Sequence, residues 1–348
     1  MSTRFMTHLA AALLCGMALM LAGARNAAAE HTTRHYFIAA EDVSWDYAPS
    51  GQNLMHCHDL AGCPIPDPWT NSHVFDKTRY IEYTDASYSI QKPQPEWLGV
   101  LGPIIRAVEG DTVMVHFCNH SSKGSFGMHP HGFRYSKDNE GAHYQGVNGG
   151  QMPGAGSQVA PGSCFDYTWV ADRDSAPGPG DVSSKAWWYH SHINEPLETN
   201  LGLLGPIIIT KRGMARADGS PRDVDREFVT AFVIFNEQNG EEPGLMHSIN
   251  GYIFGNLKGL VMNNGDRVRW HTMGMGNEVD NHSPHWHGKT VTVGAPDIAR
   301  RTDVLELMPA SMITADMKAD NPGEWMYHCH VSDHIDAGMM ATYQIRGH

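Results

Sequence analysis

Short runs of β-branched and aromatic residues, separated by glycine, proline, asparagine and aspartate, dominate the chain. Representative runs are 112–117 (TVMVHF), 165–170 (FDYTWV) and 228–235 (FVTAFVIF). Runs of this length and composition predict β-strands, and the residues between them predict turns. No long segment has the periodicity of an amphipathic helix. Many short strands at regular spacing predict β-sandwiches, and therefore an all-β fold.

Several sequence motifs occur twice along the chain, in the same order. Three pairs of segments carry the repeat: 110–113 (GDTV) with 265–268 (GDRV), 129–132 (HPHG) with 285–288 (HWHG), and 188–192 (WYHSH) with 326–330 (MYHCH). Repeated motifs in a fixed order predict a duplicated domain, and 348 residues suit two domains of about 150 residues each. The polar stretch 211–225 predicts the linker. We therefore predict domains at 30–212 and 213–348.

The first residues have the features of an export signal. Arg4 precedes an apolar run, 9–21, that is too short to span a bilayer, and Ala27-Ala28-Ala29 offers a small-residue cleavage site. We predict a signal peptide at 1–29 and a mature chain, without a membrane span, that is secreted to the periplasm or the extracellular space. The formal net charge of -13 and the absence of a basic run exclude nucleic acid as an expected partner.

Four cysteines remain besides Cys329 and the one in the signal segment, and they allow three pairings. An oxidising compartment permits disulfides, and we favour Cys57–Cys63 and Cys118–Cys164. The segment His56-Cys57-His58 looks like the later segment 328–330, but glycine and aspartate occupy the positions of its further ligands. We interpret it as a disulfide loop rather than a metal site.

Histidines at alternating positions form four motifs in a fixed order. They are His129 with His131, His190 with His192, His282 with His285 and His287, and His328-Cys329-His330 with His334 and Met339. Residues i and i+2 of a strand lie on one face, so each H-x-H pair can aim two imidazoles into one cavity. Two such pairs in each domain supply enough imidazoles for a three-copper cluster. Two histidines, a cysteine and a weak axial methionine make a blue electron-transfer copper site.

The last motif serves both kinds of site. Cys329 binds the blue copper, while its two neighbours point the other way into the cluster. The spacing to His334 and Met339 lets a loop return over the same copper, and His282 completes the set. In the first domain Ser191 stands where the cysteine would be, and Pro196 and Phe126 replace the two histidines. The blue copper is therefore predicted in the second domain only.

These motifs resemble those of the multicopper oxidases, and the amino-acid sequence around them is most similar to that of the ceruloplasmin group. The similar segments are 101–131, 135–141, 248–256, 273–280 and 328–339. The similarity covers most of residues 34–345. With two domains, the chain looks like the two-domain oxidases, which include the small laccases of bacteria.

The resemblance implies two cupredoxin-like Greek-key domains and four copper ions per chain. It assigns ligands as follows: type 1 copper to His282, Cys329, His334 and Met339; type 2 copper to His129 and His285; one type 3 copper to His131, His190 and His330; the other to His192, His287 and His328. It also implies a homotrimer, in which the first domain of one chain and the second domain of its neighbour build each cluster.

In that family a small reductant is oxidised at the type 1 copper, and dioxygen is reduced to water at the cluster. Ceruloplasmin-like ferroxidases place an iron site beside the type 1 ligands, and Glu242, His247 and Asp333 occupy three of its positions. We favour Fe(II) as the substrate. Laccase-like oxidation of phenols or aromatic amines is the alternative. A cuprous oxidase, acting on Cu(I) in copper tolerance, would need a Met-rich insert, and only Met273 and Met275 are near.

Two other classes fit less well. A copper nitrite reductase needs its blue-copper cysteine in the first domain. A non-enzymatic copper or electron carrier would leave eight histidines unexplained. Glu195 and Glu198 follow His192 and could relay protons, although we expect ordinary loop carboxylates there.

Overall fold

The computed structural model describes residues 31–55, 63–146, 152–238, 244–277 and 279–347. Most of them lie in strands and turns, which confirms the all-β prediction. The described residues from Thr32 onward form one compact unit. The predicted signal peptide lies outside the described residues. None of the helices in the described ranges reaches the length and apolar character that crossing a membrane requires.

Within the described ranges, eight strands precede the stretch 211–225. They are β1 (Thr33–Asp46), β2 (Val74–Tyr83), β3 (Ile105–Val108), β4 (Thr112–Asn119), β5 (His129–Pro130), β6 (Cys164–Val170), β7 (Ser184–His190) and β8 (Leu204–Thr210). They form two sheets, with strand orders β2-β1-β4-β6 and β3-β8-β7-β5. The disulfide Cys118–Cys164 joins β4 to β6, as expected from the sequence. Cys63 is also disulfide-bonded, but its expected partner Cys57 lies outside the described residues.

Ten strands follow. They are β9 (Arg226–Asn236), β10 (Leu245–Ile249), β11 (Val261–Asn263), β12 (Arg267–Gly274), β13 (Pro284–Trp286), β14 (Val291–Val293), β15 (Arg300–Thr302), β16 (Met312–Lys318), β17 (Gly323–Cys329) and β18 (Met340–Arg346). Their sheets have the orders β10-β9-β12-β16-β14-β15 and β11-β18-β17-β13. The helices of the described part of the chain are short. They are the α-helices Glu195–Leu201 and Ser332–Asp336 and the 3-10 helices Trp69–Asn71, Glu96–Leu98, Lys137–Asn139 and Ala155–Ser157.

The two halves repeat one topology. The parallel pair β1 and β4 corresponds to β9 and β12, and the parallel pair β3 and β8 corresponds to β11 and β18. The antiparallel pair β5 and β7 corresponds to β13 and β17. The internal repeat in the sequence is therefore a repeat of strand pairing as well. The domain boundary at residues 212 and 213 remains a prediction.

Strand β9 is buried on both faces because it lies between two apolar clusters. Phe228, Phe232 and Ile234 project from one face of the strand, and the odd-numbered residues from Val229 onward project from the other. The first three pack in the core of the second half, together with Trp270. The alternate residues pack in a cluster that contains Trp188 of the first half. The two halves thus share an apolar interface, in which every buried Å² contributes about 25 cal/mol.

Arg269 on β12 ties the two halves together with polar contacts. Its side chain is 1 % exposed. It donates to both carboxylate oxygens of Asp316, at 2.7 and 2.9 Å, and to the hydroxyls of Ser183 and Ser184, at 2.6 and 2.9 Å. The guanidinium also approaches Asp223 at 3.3 Å. A buried cation with this many charge-assisted partners holds the first half against β12.

We expect Arg269→Ala to lower the free energy of unfolding by about 1–3 kcal/mol, because it leaves the buried hydroxyls of Ser183 and Ser184 and the partly buried carboxylate of Asp316 without their donor. Guanidinium-induced unfolding measures the change. Arg267→Ala is the matched control, since Arg267 lies two residues earlier on β12 and pairs with Asp225 in solvent. Its substitution is expected to leave the unfolding midpoint unchanged. Equal effects of the two variants would contradict the role given to Arg269.

Candidate metal centres

One set of donors surrounds a buried thiol. Cys329 ends β17, His334 lies on the helix Ser332–Asp336, and His282 precedes β13. The Cys329 Sγ lies 3.4 Å from His334 Nδ1 and 4.0 Å from His282 Nδ1, and the two nitrogens lie 3.3 Å apart. All three residues are buried, and their donor atoms lie close enough to hold one metal ion. We call these three residues the thiolate set.

Met339 lies beside the thiolate set. It is fully buried in the same core cluster as Cys329. Its backbone N–H donates to the His334 carbonyl at 2.9 Å, and its carbonyl accepts from the Cys329 N–H at 3.1 Å. The loop after the helix thus returns to Cys329.

The electrostatics of the thiolate set suit a cation. Burial raises the pKa of the Cys329 thiol, and burial lowers the pKa of His334. These shifts favour a neutral thiol and a neutral imidazole when no cation is bound, whereas a bound cation would favour the thiolate. The Ser283 N–H also donates to the Cys329 Sγ at 3.3 Å.

Asp280 orients His282, and the sequence did not reveal this. The Asp280 carboxylate is fully buried and accepts from His282 Nε2 at 3.2 Å. The proton on Nε2 leaves the lone pair on Nδ1, the nitrogen that faces Cys329. Asp280 is itself held by the backbone N–H groups of Ile234 and Asn277. Such carboxylate–histidine pairs are common behind metal ligands.

A second set of four histidines lies on β5 and β7 and just beyond them. It consists of His129, His131, His190 and His192. His129 pairs with His190 in the strand register, and their ring centroids are 5.6 Å apart. The Nε2 atoms of His131 and His190 lie 3.0 Å apart. Burial lowers the pKa of His131 to about 4 and that of His190 to about 3, so both imidazoles are neutral donors at pH 7. We call this the first imidazole set.

A third set repeats this arrangement on β13 and β17. It consists of His285, His287, His328 and His330. His285 pairs with His328 in the register, and the Nε2 atoms of His287 and His328 lie 3.0 Å apart. The rings of His285 and His330 are 5.4 Å apart. His285, His287 and His328 could together hold a metal ion. We call this the second imidazole set.

Backbone carbonyls fix the tautomer of four of these eight rings. Each of the four donates from Nδ1: His129 to Glu140 at 2.7 Å, His190 to Ser191 at 2.9 Å, His285 to Asp303 at 2.8 Å and His328 to Cys329 at 2.6 Å. A carbonyl can only accept, so Nδ1 carries the proton and Nε2 keeps its lone pair. The rings are therefore ready to bind a metal through Nε2, and imidazole nitrogen suits copper.

In the part of the chain that the structure describes, contacts between the rings of these eight histidines join members of the same imidazole set. In the first set they range from 5.1 to 5.6 Å between centroids. In the second they range from 4.9 to 5.5 Å. Both sets reach the surface: His192 is 39% exposed, and His285 and His287 line an open pocket of about 490 Å³.

The two glutamates near the first imidazole set lie on the short helix Glu195–Leu201 rather than in a loop. A Glu195 oxygen lies 3.3 Å from His192 Nε2, and its other oxygen lies 3.9 Å from His190 Nε2. Glu198 is buried and accepts the backbone N–H groups of Ile193 and Asn194. Glu198 is thus occupied in holding the start of the helix.

A pocket of about 420 Å³ lies beside the thiolate set. Its lining includes His334 and His247, whose rings are 5.2 Å apart, and the predicted acid Asp333. Asp67 and Asp336 add two carboxylates that the sequence did not single out. Glu242, the third residue predicted for this site, lies outside the described residues.

Comparison with known proteins identifies the family. Residues 98–213 and residues 226–347 each match a family model described as multicopper oxidase. The chain is 36% identical over 344 residues to "Ferroxidase HEPHL1" of Homo sapiens and 35% identical over 341 residues to "Ceruloplasmin" of Homo sapiens. Each alignment covers 90% of this chain but only 29% and 31% of the relative, so the chain spans about three tenths of their length.

A solved structure described as a multicopper oxidase superposes with a TM-score of 0.62 at 20% identity. It covers 90% of each chain, and this likeness confirms the cupredoxin-like fold. The donor sets also fit copper, because a buried soft thiolate lies beside two buried imidazoles and eight further imidazoles form the other two sets. On its two family matches and on these donors, the chain belongs to the multicopper oxidases.

Proposed function

We propose that the chain is an oxidase that takes single electrons from a small reductant at the thiolate set and passes four of them to dioxygen. With four protons, one dioxygen then gives two molecules of water. One observation carries the proposal. Cys329 belongs to the thiolate set, while its two neighbours in sequence, His328 and His330, belong to the second imidazole set. The backbone therefore connects two donor sets of different chemistry over a single residue.

The proposed ligands follow the three donor sets. His282, Cys329, His334 and Met339 would hold type 1 copper, and His129 and His285 would hold type 2 copper. His131, His190 and His330 would hold one type 3 copper, and His192, His287 and His328 the other. Copper bound by these donors supplies one-electron redox chemistry. The carbonyl acceptors of the imidazole sets and the Asp280 carboxylate keep five of the ten rings in the tautomers that binding requires.

We also propose that the chain works as a homotrimer. Each imidazole set contributes four rings, whereas the proposed cluster needs eight. Ring contacts join the members of one set, and both sets reach the surface of the chain. A second copy could therefore bring its own set against the exposed one. Head-to-tail contacts of this kind close into rings.

Fe(II) is the substrate that we favour. The pocket beside His334 presents Asp67, Asp333 and Asp336 together with His247, and hard oxygen donors suit iron. Carboxylates stabilise Fe(III) over Fe(II) and so increase the driving force for oxidation. The same pocket has apolar walls at Trp69 and Leu245, which favour a phenol as the second candidate. Met273 and Met275 are buried in the core, so they do not support Cu(I) oxidation.

We expect Asp333→Ala and Glu242→Ala to lower kcat/KM for Fe(II) by about tenfold or more, as loss of a metal-supporting residue does. Oxidation of an uncharged phenol should fall much less. Oxygen uptake with Fe(II) and with the phenol, side by side, measures the difference. Asp174→Ala is the control, since Asp174 is an exposed carboxylate elsewhere on the chain. Equal losses on both substrates would contradict an iron site.

The function itself is tested on copper-loaded protein. We expect four copper ions per chain, a blue absorption band, and oxygen uptake with Fe(II) that forms water rather than hydrogen peroxide. Protein that holds all its copper and consumes no oxygen with Fe(II), a phenol or Cu(I) would contradict the proposal.

The site of action is proposed to be outside the cytoplasm, and the disulfide Cys118–Cys164 favours that compartment.

A further inference from the structure

A group of polar side chains lies on the first sheet, apart from the three donor sets. It consists of His35 on β1, His116 on β4 and Asp166 on β6. His116 lies opposite Phe37 in the parallel register and opposite Asp166 in the antiparallel register. Because His35 and Phe37 are two residues apart on one strand, they share a face. All three polar side chains therefore project from the same face of the sheet.

The two imidazoles approach each other through their nitrogens. His35 Nδ1 lies 3.0 Å from His116 Nε2. The same 3.0 Å separates His131 Nε2 from His190 Nε2, and His287 Nε2 from His328 Nε2, in the two imidazole sets. The distance between the nitrogens is thus the one that this protein uses where two histidines serve one metal centre.

Asp166 sets the tautomer of His116. Its Oδ1 lies 2.8 Å from His116 Nδ1, so the carboxylate accepts the Nδ1 proton and the lone pair stays on Nε2, the atom that faces His35. Among the residues that the structure describes, no lysine or arginine competes for Asp166. The arrangement repeats the one at His282, where Asp280 holds the far nitrogen of a proposed copper ligand.

The three polar side chains are open to solvent, and the ring of Phe37 restrains one of them. His35 is exposed, and the side chains of His116 and Asp166 are 21% and 63% exposed. The Phe37 ring stacks on the His116 ring at 4.6 Å with an angle of 14° between the planes. An ion can therefore reach the two nitrogens and complete its coordination with water, while the stacked phenylalanine restrains one of the rings.

We propose that His35 and His116 form a separate surface site for a divalent copper ion, with Asp166 orienting His116 from behind. Two imidazoles and water suit Cu(II) best among common divalent ions, and Zn(II) should bind more weakly. The site is independent of the proposed oxidase activity, since none of its residues belongs to the three donor sets.

The test uses protein whose oxidase copper is already loaded, so that only an additional ion is counted. Titration with Cu(II), followed by calorimetry, should give one further ion per chain. Electron paramagnetic resonance of that ion should show coupling to two imidazole nitrogens. His35→Gln and His116→Gln should abolish this binding event, and Asp166→Asn should weaken its affinity by about tenfold.

His120→Gln is the matched control. His120 lies near the same sheet, and its Nδ1 contacts a carboxylate oxygen of Glu41 at 2.7 Å, but the rings that it contacts belong to tyrosines rather than to a second histidine. This variant should keep the additional ion. Unchanged oxidase copper and thermal midpoint would show that the variants fold. Wild type that takes up no further ion, or the same affinity in all variants, would overturn the proposal.

Discussion

Replacing Cys329 by serine is expected to remove the blue colour and to lower oxygen uptake with Fe(II) to about 1% of wild type or less, because the other donors lack the soft thiolate that defines a blue copper site. The substitution replaces one sulfur atom by an oxygen atom at a fully buried position and keeps a small polar side chain there. The second imidazole set flanks the change but uses other atoms. Copper analysis should therefore give three ions per chain instead of four.

Ser332→Ala controls for disturbance of the same loop. Ser332 is exposed and starts the helix that carries His334, but it belongs to none of the donor sets. Its variant should keep the colour, the copper and the activity. A Cys329→Ser protein that retained a blue band would contradict the assignment of the thiolate set.

Two inactive chains are expected to restore activity when they assemble together. One chain carries His131→Ala and His192→Ala, which disable the first imidazole set, and the other carries His285→Ala and His287→Ala, which disable the second. If a cluster joins the first set of one chain to the second set of its neighbour, random mixing of equal amounts makes about one interface in four intact. The mixed protein should therefore show about a quarter of the wild-type oxygen uptake, while each variant alone shows none.

The mixing experiment has an internal calibration. Wild type mixed with either variant should give about half of the wild-type activity, whether clusters form within or between chains. Only the mixture of the two variants distinguishes these arrangements. The chains must be refolded or expressed together, so that they exchange partners. No activity from mixed assemblies that hold type 1 copper normally would contradict clusters shared between chains.

The sequence predicted the donor types but not what holds them in place. The H-x-H motifs were readable because alternation along a strand places both rings on one face, and the structure brings His129 beside His131 and His285 beside His287 in that way. The acceptors behind these rings were not readable. The carbonyl of Asp303 reaches His285 across 18 positions of sequence, so only the folded chain brings them together.

The pocket beside His334 shows the same limit. Asp333 was predicted because it precedes a ligand in sequence, whereas Asp67 comes from the first half of the chain. The segment His56-Cys57-His58 before Asp67 looks like the copper motif, but we interpret it as a disulfide loop, so the sequence did not assign Asp67 to a metal site. The fold could be predicted from the sequence more fully than the pocket, since strand composition and the internal repeat are properties of the sequence itself. The burial of β9 on both faces fits its nearly continuous apolar sequence, in which Thr230 is the one polar residue between Phe228 and Phe235.

The separation of the two imidazole sets has a consequence for where and when activity appears. On the proposed assembly, a solitary chain holds a complete electron-accepting site but only half of the place where oxygen reacts. Activity per chain then follows mass action and rises with protein concentration. A single newly made chain would therefore not reduce oxygen during export. Oxygen reduction would begin only when enough copies accumulate at their destination to assemble.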